Sequence, residues 1–477
     1  MIPERFTPVL EELAPLTARF AAANKRLYLV GGTVRDLLLG PPSDAHLPGA
    51  SPDMDFDATT NALPHEIKAI IEGWADAVWA QGEKFGTIGA KKNGRVYEIT
   101  THRAEAYSPD SRKPDVEFSD DIEADLSRRD FTINAMALEL TTEKPEFLDP
   151  FLGLEDLAKK LIRTPSSAEQ SFSDDPLRMM RAARFASQLE FEIAPDVLVA
   201  MKSMTDRISI ISAERVRDEL VKTLMSKNPR IGITILVETG LADLVLPEIP
   251  KLQLEIDEHH HHKDVYEHSL TVLEQAIALE DRLDGPNLVI RLASLLHDIG
   301  KPKTRALIEG GGVSFHHHEV VGARLAVTRL KALHFDNHTI EAVETLIALH
   351  LRFHGYGDGE WSDSAVRRYV RDAGELLTHL HVLTRADCTT RNVKKAQRLA
   401  ATYDSLENRI AVLMEQEELS KIRPDLDGAQ IMQILGIKPS ADVGRALDFL
   451  MEIRLERGPI GEQAATQELL AWWKTKP

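Results

Sequence analysis

The chain has 477 residues, 43% of them hydrophobic, with 57 basic and 75 acidic side chains and a formal net charge of −18. That length suits about three domains, and the absence of any long apolar run excludes a membrane-spanning helix. The single cysteine, Cys388, cannot form an intramolecular disulfide and fits a reducing cytoplasm. The opening MIPERFTPVLEEL carries acids and lacks an apolar core, so it does not read as a secretory signal.

The first readable element is an apolar run, Leu27 to Val30, that predicts a buried strand. Gly31 and Gly32 then turn the chain into a helical pattern, Val34 to Leu39, and backbone N–H groups at such a turn can hold phosphate oxygens. Residues 41–52, rich in Pro, Ser and Gly, read as a surface loop. Asp55 and Asp57 are two apart, so a strand would put both carboxylates on one face, as Mg²⁺ held against nucleotide phosphates requires. Asp53-Met54-Asp55 offers a rival register. Residues 98–103 alternate as a strand, and 107–115 carry the turn residues of a mobile loop. Arg128-Arg129 precede an expected helix and are suited to phosphate. Asp175, Arg178 and Arg181 step by three on a predicted helix, where a carboxylate beside a guanidinium can read a nucleobase edge. Ser212 is a predicted N-cap.

Fifteen of eighteen histidines fall between 259 and 381, including the internal run His259–His262. Within this region lie His268, the pair His297-Asp298, His318, His350 and then Asp387, in segments with helical periodicity. Beyond 396 the pattern stays helical, broken at Asp427-Gly428 and Gly436, with Ile431, Leu435, Val443, Leu447 and Leu450 as core positions. The net charge is unlike that of a nucleic-acid binder. Basic residues are nevertheless concentrated: ten against seven acids between 176 and 231, and five against one between 385 and 398.

Taken together, LVGGTVRDLLLG (29–40), Asp55-Phe56-Asp57 followed by Ala62-Leu63-Pro64, EITTHR (98–103), RRDFTINA (128–135), DDPLRMMRAARF (174–185) and ISAERVRDEL (211–220) resemble the class II tRNA nucleotidyltransferases. This family comprises CCA-adding enzymes and bacterial poly(A) polymerases. The spacing to Ala62-Leu63-Pro64 selects Asp55/Asp57 over the rival register, and Asp174 stands where many relatives have Glu. The resemblance implies an α/β nucleotidyltransferase head followed by all-α neck, HD and tail domains. It implies that Asp55 and Asp57 are catalytic and hold Mg²⁺, that Gly32, Arg35 and Arg129 bind triphosphate and sugar, and that Asp175 and Arg178 form a protein template. Arg181 and Arg184 would stack on or brace the base.

The order H…HD…D separately resembles the HD-domain metal phosphohydrolases. By that match His268, His297, Asp298 and Asp387 would ligate a divalent transition metal or Mg²⁺, with His318 and His350 as additional candidates. The expected divisions are 1–145 (head), 146–250 (neck with template and RNA-binding region), 255–395 (HD) and 396–477 (tail). The expected reaction is template-independent addition of CCA to tRNA 3′ ends from CTP and ATP, in the cytoplasm and away from membranes. A poly(A) polymerase, a CC- or A-adding half-enzyme with its difference in loop 107–115, and an HD phosphohydrolase using the head as a binding module are the alternatives. The charged face of 396–421 suits the tRNA elbow or the partner of a homodimer.

Overall fold

A computed structural model describes residues 3–40, 55–106, 115–254, 265–307, 313–356, 361–390, 392–417 and 423–475. The expected loop 41–52, residues 107–114 of the expected loop 107–115, and the run His259–His262 lie outside the described residues. The chain divides into two compact units, Met1–Val245 and Leu246–Pro477.

The first unit begins with helix α1 (Thr7–Ala22), whose Val9, Leu13, Leu16 and Phe20 recur at helical spacing and are all buried. Strand β1 (Leu27–Val30) is buried at every residue, as its unbroken apolar run requires. It leads into α2 (Gly32–Leu39), then β2 (Phe56–Thr60), α3 (Pro64–Ile71), β3 (Ala77–Trp79), β4 (Thr87–Lys92) and β5 (Arg95–Thr101). A hairpin of β6 (Arg103–Ala106) and β7 (Asp115–Phe118) follows, then α4 (Ile122–Ser127), β8 (Ala137–Glu139) and β9 (Glu146–Leu148). Seven strands form one sheet in the order β3-β4-β5-β2-β1-β8-β9. Only β2 and β5 pair in parallel within it, which puts Asp57 directly opposite Glu98.

The remainder of this unit is helical: α5 (Gly153–Lys159), α6 (Ala168–Asp174), α7 (Leu177–Leu189), α8 (Pro195–Ser203), α9 (Ala213–Leu224), α10 (Pro229–Glu238) and α11 (Leu241–Val245), apart from a short strand pair at 161–162 and 192–193. Helix α7 packs against α9 and α10. It is apolar on one face through Leu177, Met180, Ala183 and other buried residues, and it also carries Arg178, Arg181 and Arg184. Ser212 does occupy the N-cap of α9, but its side chain makes no capping hydrogen bond. Arg128 and Arg129 follow α4 instead of preceding a helix, and only a short 3₁₀ turn, Thr132–Asn134, comes after them.

In the second unit the helices are α12 (Val265–Ile277), α13 (Leu288–Leu296), α14 (Lys301–Thr304), α15 (His318–Ala332), α16 (Asn337–Leu349), α17 (Asp363–Ala373), α18 (Leu377–Asp387), α19 (Val393–Glu417), α20 (Gly428–Leu435), α21 (Ala441–Arg457) and α22 (Glu462–Lys474). Helices α12, α13, α16 and α18 pack on one another, and α15 packs on α16. Helix α20 starts at an Asp427 capping box with Gln430 and ends at Gly436 in a left-handed conformation, so both expected breaks are helix caps. Ile431 and Leu450 are core residues there, with Leu435, Val443 and Leu447 packed partly buried against them.

Candidate active site and metal centre

At the end of β1, Gly31 has φ 72° and ψ −143°, a backbone shape that L side chains rarely adopt. A Cβ there would lie 3.1 Å from Arg129 Nη1 and 3.6 Å from Asp57 Oδ2. Gly31 therefore lets an arginine and a carboxylate approach the turn, while Gly32 opens α2. Phe56 and Ala58 point into the core and Asp55 and Asp57 point out, the alternation expected of a half-buried strand. Opposite Asp57 on β5, Glu98 presents a third carboxylate to the same face. Partial desolvation raises the Asp57 carboxyl, with Arg129 opposing and Asp55 adding to the rise. Desolvation, Asp57 and Asp55 likewise raise Glu98. Mutually repelling carboxylates are the arrangement a divalent cation relieves, and an all-oxygen donor set suits a hard ion such as Mg²⁺.

Asp57 and Glu98 line a cleft completed by Thr100, Arg103, Arg128 and Arg129. Both arginines are oriented by the fully buried Asp125, at 2.6 Å from Arg128 Nη2 and 3.4 Å from Arg129 Nη2. Burial opposes ionisation of Asp125, but the two arginines prevail and hold its carboxyl below the usual range.

The expected template residues come together differently from their helical spacing. Asp175 precedes α7, accepts the Leu177 N–H at 3.1 Å and pairs with Arg215 of α9 at 2.9 Å, not with Arg178. Arg178 is buried and donates to Ser171 Oγ at 2.9 Å and to the Arg128 carbonyl at 2.5 Å. Arg181 donates twice to Asp130, through Nε at 2.8 Å and Nη2 at 2.5 Å. Arg184 pairs with buried Glu219 at 2.9 Å. Arg35, buried against Phe185, donates to Asn134 Oδ1 at 2.8 Å. Phe185 thus has three guanidinium groups about its ring, those of Arg35, Arg181 and Arg184, at 5.0, 5.7 and 4.2 Å from the centroid.

In the second unit the six expected metal ligands converge. His268 lies on α12, His297 caps α13, Asp298 follows it, His318 starts α15, His350 caps α16 and Asp387 ends α18. Gly300 makes the approach of α15 feasible, since a Cβ there would sit 2.0 Å from the His318 carbonyl oxygen. His268 Nε2 is 3.3 Å from His297 Nε2 and 2.9 Å from Asp387 Oδ1. His297, His318 and His350 each place Nδ1 near the carbonyl oxygen three residues back, at 2.8, 2.9 and 2.6 Å. A carbonyl only accepts, so each Nδ1 carries a proton, and whenever the ring is neutral its Nε2 keeps a lone pair facing the cluster. Burial and the neighbouring His297 push His350 down to about 3. Burial also acts against protonation of His297, yet Asp298 and Asp387 outweigh it and raise that ring to about 9.

The Poly A polymerase head domain family matches residues 27–163, a family described as a probable RNA and SrmB-binding site of polymerase A matches 190–252, and the HD domain matches 265–392. Over 454 residues the chain is 32% identical to an A-adding tRNA nucleotidyltransferase of Deinococcus radiodurans, covering 93% of this chain and 94% of that one. The chain belongs to the tRNA nucleotidyltransferase family. A CCA-adding enzyme of Lactobacillus johnsonii is 41% identical over 51% of this chain and 56% of its own length. The tRNA nucleotidyltransferase fold extends over 99% of this chain in the Bacillus stearothermophilus CCA-adding enzyme in complex with CTP (98% of that chain, TM-score 0.64, 24% identity). It extends over 98% in the Thermotoga maritima CCA-adding enzyme complexed with tRNA_CCA (95% of that chain, TM-score 0.61, 20% identity).

The α/β head and helical remainder expected of a tRNA nucleotidyltransferase are thus present. Sequence reading did not single out Glu98, Asp125, Asp130 or Glu219 as site residues. Besides its place in the segment EITTHR, the local signal for Glu98 is its position between core residues Tyr97 and Ile99 on a strand, which turns it to the face of Asp57. Among the described residues, no helix is long and apolar enough to cross a membrane.

Proposed function

We propose that this tRNA nucleotidyltransferase adds CCA to tRNA 3′ ends from CTP and ATP without a nucleic-acid template. The observation that carries the reading is the joining of three outward carboxylates, Asp55, Asp57 and Glu98, to the arginine-lined base platform around Phe185 within one unit. Asp55 and Asp57 would hold Mg²⁺, which neutralises phosphate charge at that position when bound. The tRNA 3′ hydroxyl attacks the α-phosphorus, and the bond to the departing pyrophosphate breaks. Arg128 and Arg129, preset by Asp125, take the triphosphate oxygens beside Gly32 and the N-terminus of α2. Arg178 and Asp175 choose the base, and Arg181 and Arg184 brace it. Arg35, bonded to Asn134 and packed on Phe185, holds α2 against Phe185 beside the triphosphate.

The test is incubation with tRNA lacking CCA and each nucleoside triphosphate, alone and in pairs. Sequential C, C and A incorporation is the expected result. One observation favours a second reading: the relative paralleled over 94% of its length is named A-adding, while the L. johnsonii CCA-adding relative is paralleled over 56%. Incorporation of ATP only into tRNA already ending in CC would establish that reading, and a long A tract would establish a poly(A) polymerase.

The HD region supplies a second activity in this proposal: metal-dependent hydrolysis of a phosphate ester, with a 2′,3′-cyclic phosphate at an RNA end as the substrate class. Its imidazole and carboxylate donors suit Mn²⁺, Fe²⁺, Co²⁺ or Ni²⁺. We also divide the chain into head 1–145, neck 146–250, HD 255–395 and tail 396–477. Lys394, Lys395 and Arg398, exposed on α19, supply the surface for the tRNA elbow or a second subunit. Cytoplasmic placement belongs to the same reading.

A further inference from the structure

Asp57 belongs to a row of residues that crosses four strands of the sheet. It lies opposite Glu98 on β5, Glu98 lies opposite Gly89 on β4, and Gly89 lies opposite Trp79 on β3. Residues directly opposite one another turn to the same face, so Trp79 and Gly89 share the face of the carboxylates. Gly89 has no side chain, and the indole fills that space: a Cβ at 89 would lie 2.0 Å from Trp79 Nε1 and 2.1 Å from Cε2. The ring therefore reaches from β3 across β4, on the side of Glu98. Strands are spaced about 4.8 Å apart, which puts Gly89 one spacing from Glu98 and roughly 10 Å from Asp57.

The cross-strand glycine covers only part of this ring, and Trp79 is 37% exposed. An exposed indole is a platform for a nucleobase of any identity, because every base has a π face. Lys91, exposed two residues along β4 from Gly89, adds a cation on the same face for a backbone phosphate. The sheet order decides which nucleotide this platform suits. On one side of β2 stand β1, the Gly31 turn and Arg129, which belong to the incoming triphosphate, whereas β5, β4 and β3 stand on the other side. Displacement at the α-phosphorus is in line, so the attacking hydroxyl enters opposite the departing pyrophosphate. The β5-β4-β3 side is thus the side of the acceptor RNA.

We propose that Trp79 stacks on the 3′-terminal base of the acceptor tRNA and so holds its ribose hydroxyl beside Asp57 and Glu98. This rests on the nucleotidyl-transfer reading of the head. A stacking platform grips the acceptor end without reading its sequence. That property suits an end whose last base changes at each addition, while base choice stays with the incoming nucleotide.

The test uses the full chain and an acceptor-stem hairpin lacking CCA whose 3′-terminal base is 2-aminopurine, a fluorophore quenched by stacking. The parent should quench it on binding. Trp79→Phe should retain most of the quenching, whereas Trp79→Leu, which keeps apolar cover on Gly89 but has no π face, should lose it. With whichever nucleotide the parent incorporates, Trp79→Leu should raise KM for the RNA roughly 5- to 150-fold, the range for one lost stacked base, and leave KM for the nucleotide unchanged. A merely structural tryptophan would shift both constants together and would not be rescued by Phe. A measurement without variants is ultraviolet crosslinking of a hairpin ending in 5-iodouridine, with the adduct expected on Trp79 by peptide mapping. Adducts only elsewhere, or full quenching and an unchanged RNA KM in Trp79→Leu, overturn the inference. Nucleotide incorporation by a parent that leaves the probe unquenched removes the platform and keeps the transfer reading. Quenching and a Trp79 adduct with no incorporation do the reverse.

Discussion

Asp130 anchors Arg181 beside Phe185, and replacing it by alanine has a calculable consequence. Its Oδ2 accepts both bonds from Arg181, and its Oδ1 accepts the Phe131 N–H at 2.8 Å and Asn134 Nδ2 at 3.0 Å. Burial disfavours the carboxylate, but Arg181 and these donors outweigh it and hold the group well below the usual carboxylate range. Asp130→Ala strands the Arg181 guanidinium, whose other carboxylate neighbour, Glu219, lies 3.8 Å away. Breaking a fully buried pair from one side costs about 3–5 kcal/mol, but the Arg181 side chain is 33% exposed, so water screens the stranded guanidinium. The expected loss in the unfolding of the N-terminal unit is therefore about 1–3 kcal/mol at pH 7, the cost of the unpaired donors left around the site, read from urea denaturation followed by hydrogen exchange in residues 115–245. Adding Arg181→Leu to Asp130→Ala should recover part of the loss, because the unpaired charge is gone. The pH dependence has a definite sign. A depressed carboxyl stabilises above its unfolded pKa near 3.8 and loses that contribution as pH falls through its lower folded value. The gap between parent and Asp130→Ala should therefore be full at pH 5–7 and shrink below pH 4. A loss under about 1 kcal/mol, or a double variant as unstable as the sum of the two single ones, would refute the reasoning.

Asp55→Ala or Asp57→Ala should abolish incorporation of CTP and ATP together with circular dichroism unchanged, and loss of only one nucleotide would contradict a shared metal site. Asp175→Ala should reduce discrimination among the four nucleoside triphosphates more than it slows incorporation, since unpaired polar groups reject wrong bases; full preference at normal rate would remove Asp175 from base choice. Asp298→Ala should abolish hydrolysis of a 2′,3′-cyclic phosphate while nucleotide addition to tRNA persists, and parallel loss of both activities would argue against separate centres. His102 is lowered to about 4, mainly by burial. A histidine buried neutral loses stability as pH falls from about 6.5 toward 4, so the His102→Gln variant should show a flatter stability–pH curve over that window in urea titrations at fixed temperature.

How far the sequence reaches can be judged residue by residue. The strand Leu27–Val30, the turn at Gly31-Gly32 and the outward pair Asp55/Asp57 were legible because each depends on residues a few positions apart: apolar runs, glycine punctuation and the two-residue period of a strand. The six candidate HD ligands were legible as a set of residue types in order, and they gather into two adjoining groups. The partners of the charged groups were not legible. Asp175 and Arg178 look adjacent on a helix, yet Asp175 lies outside α7 and is claimed by Arg215, forty residues later. Arg35 reads as a phosphate ligand, but packing against Phe185 buries it on Asn134.

The chain's local chemistry therefore determined by itself the element types, the outward carboxylate pair and the residue inventory of the second cluster. Tertiary structure alone decided which acid each arginine meets, that Glu98 joins Asp57 through the parallel pairing of β2 and β5, and that Asp298 turns one oxygen to each group of histidines. The physical reason is range. Backbone propensity and side-chain periodicity act over a turn or a strand, whereas the pairing of a buried charge is settled by whichever opposite charge the packing of distant elements brings within about 3 Å.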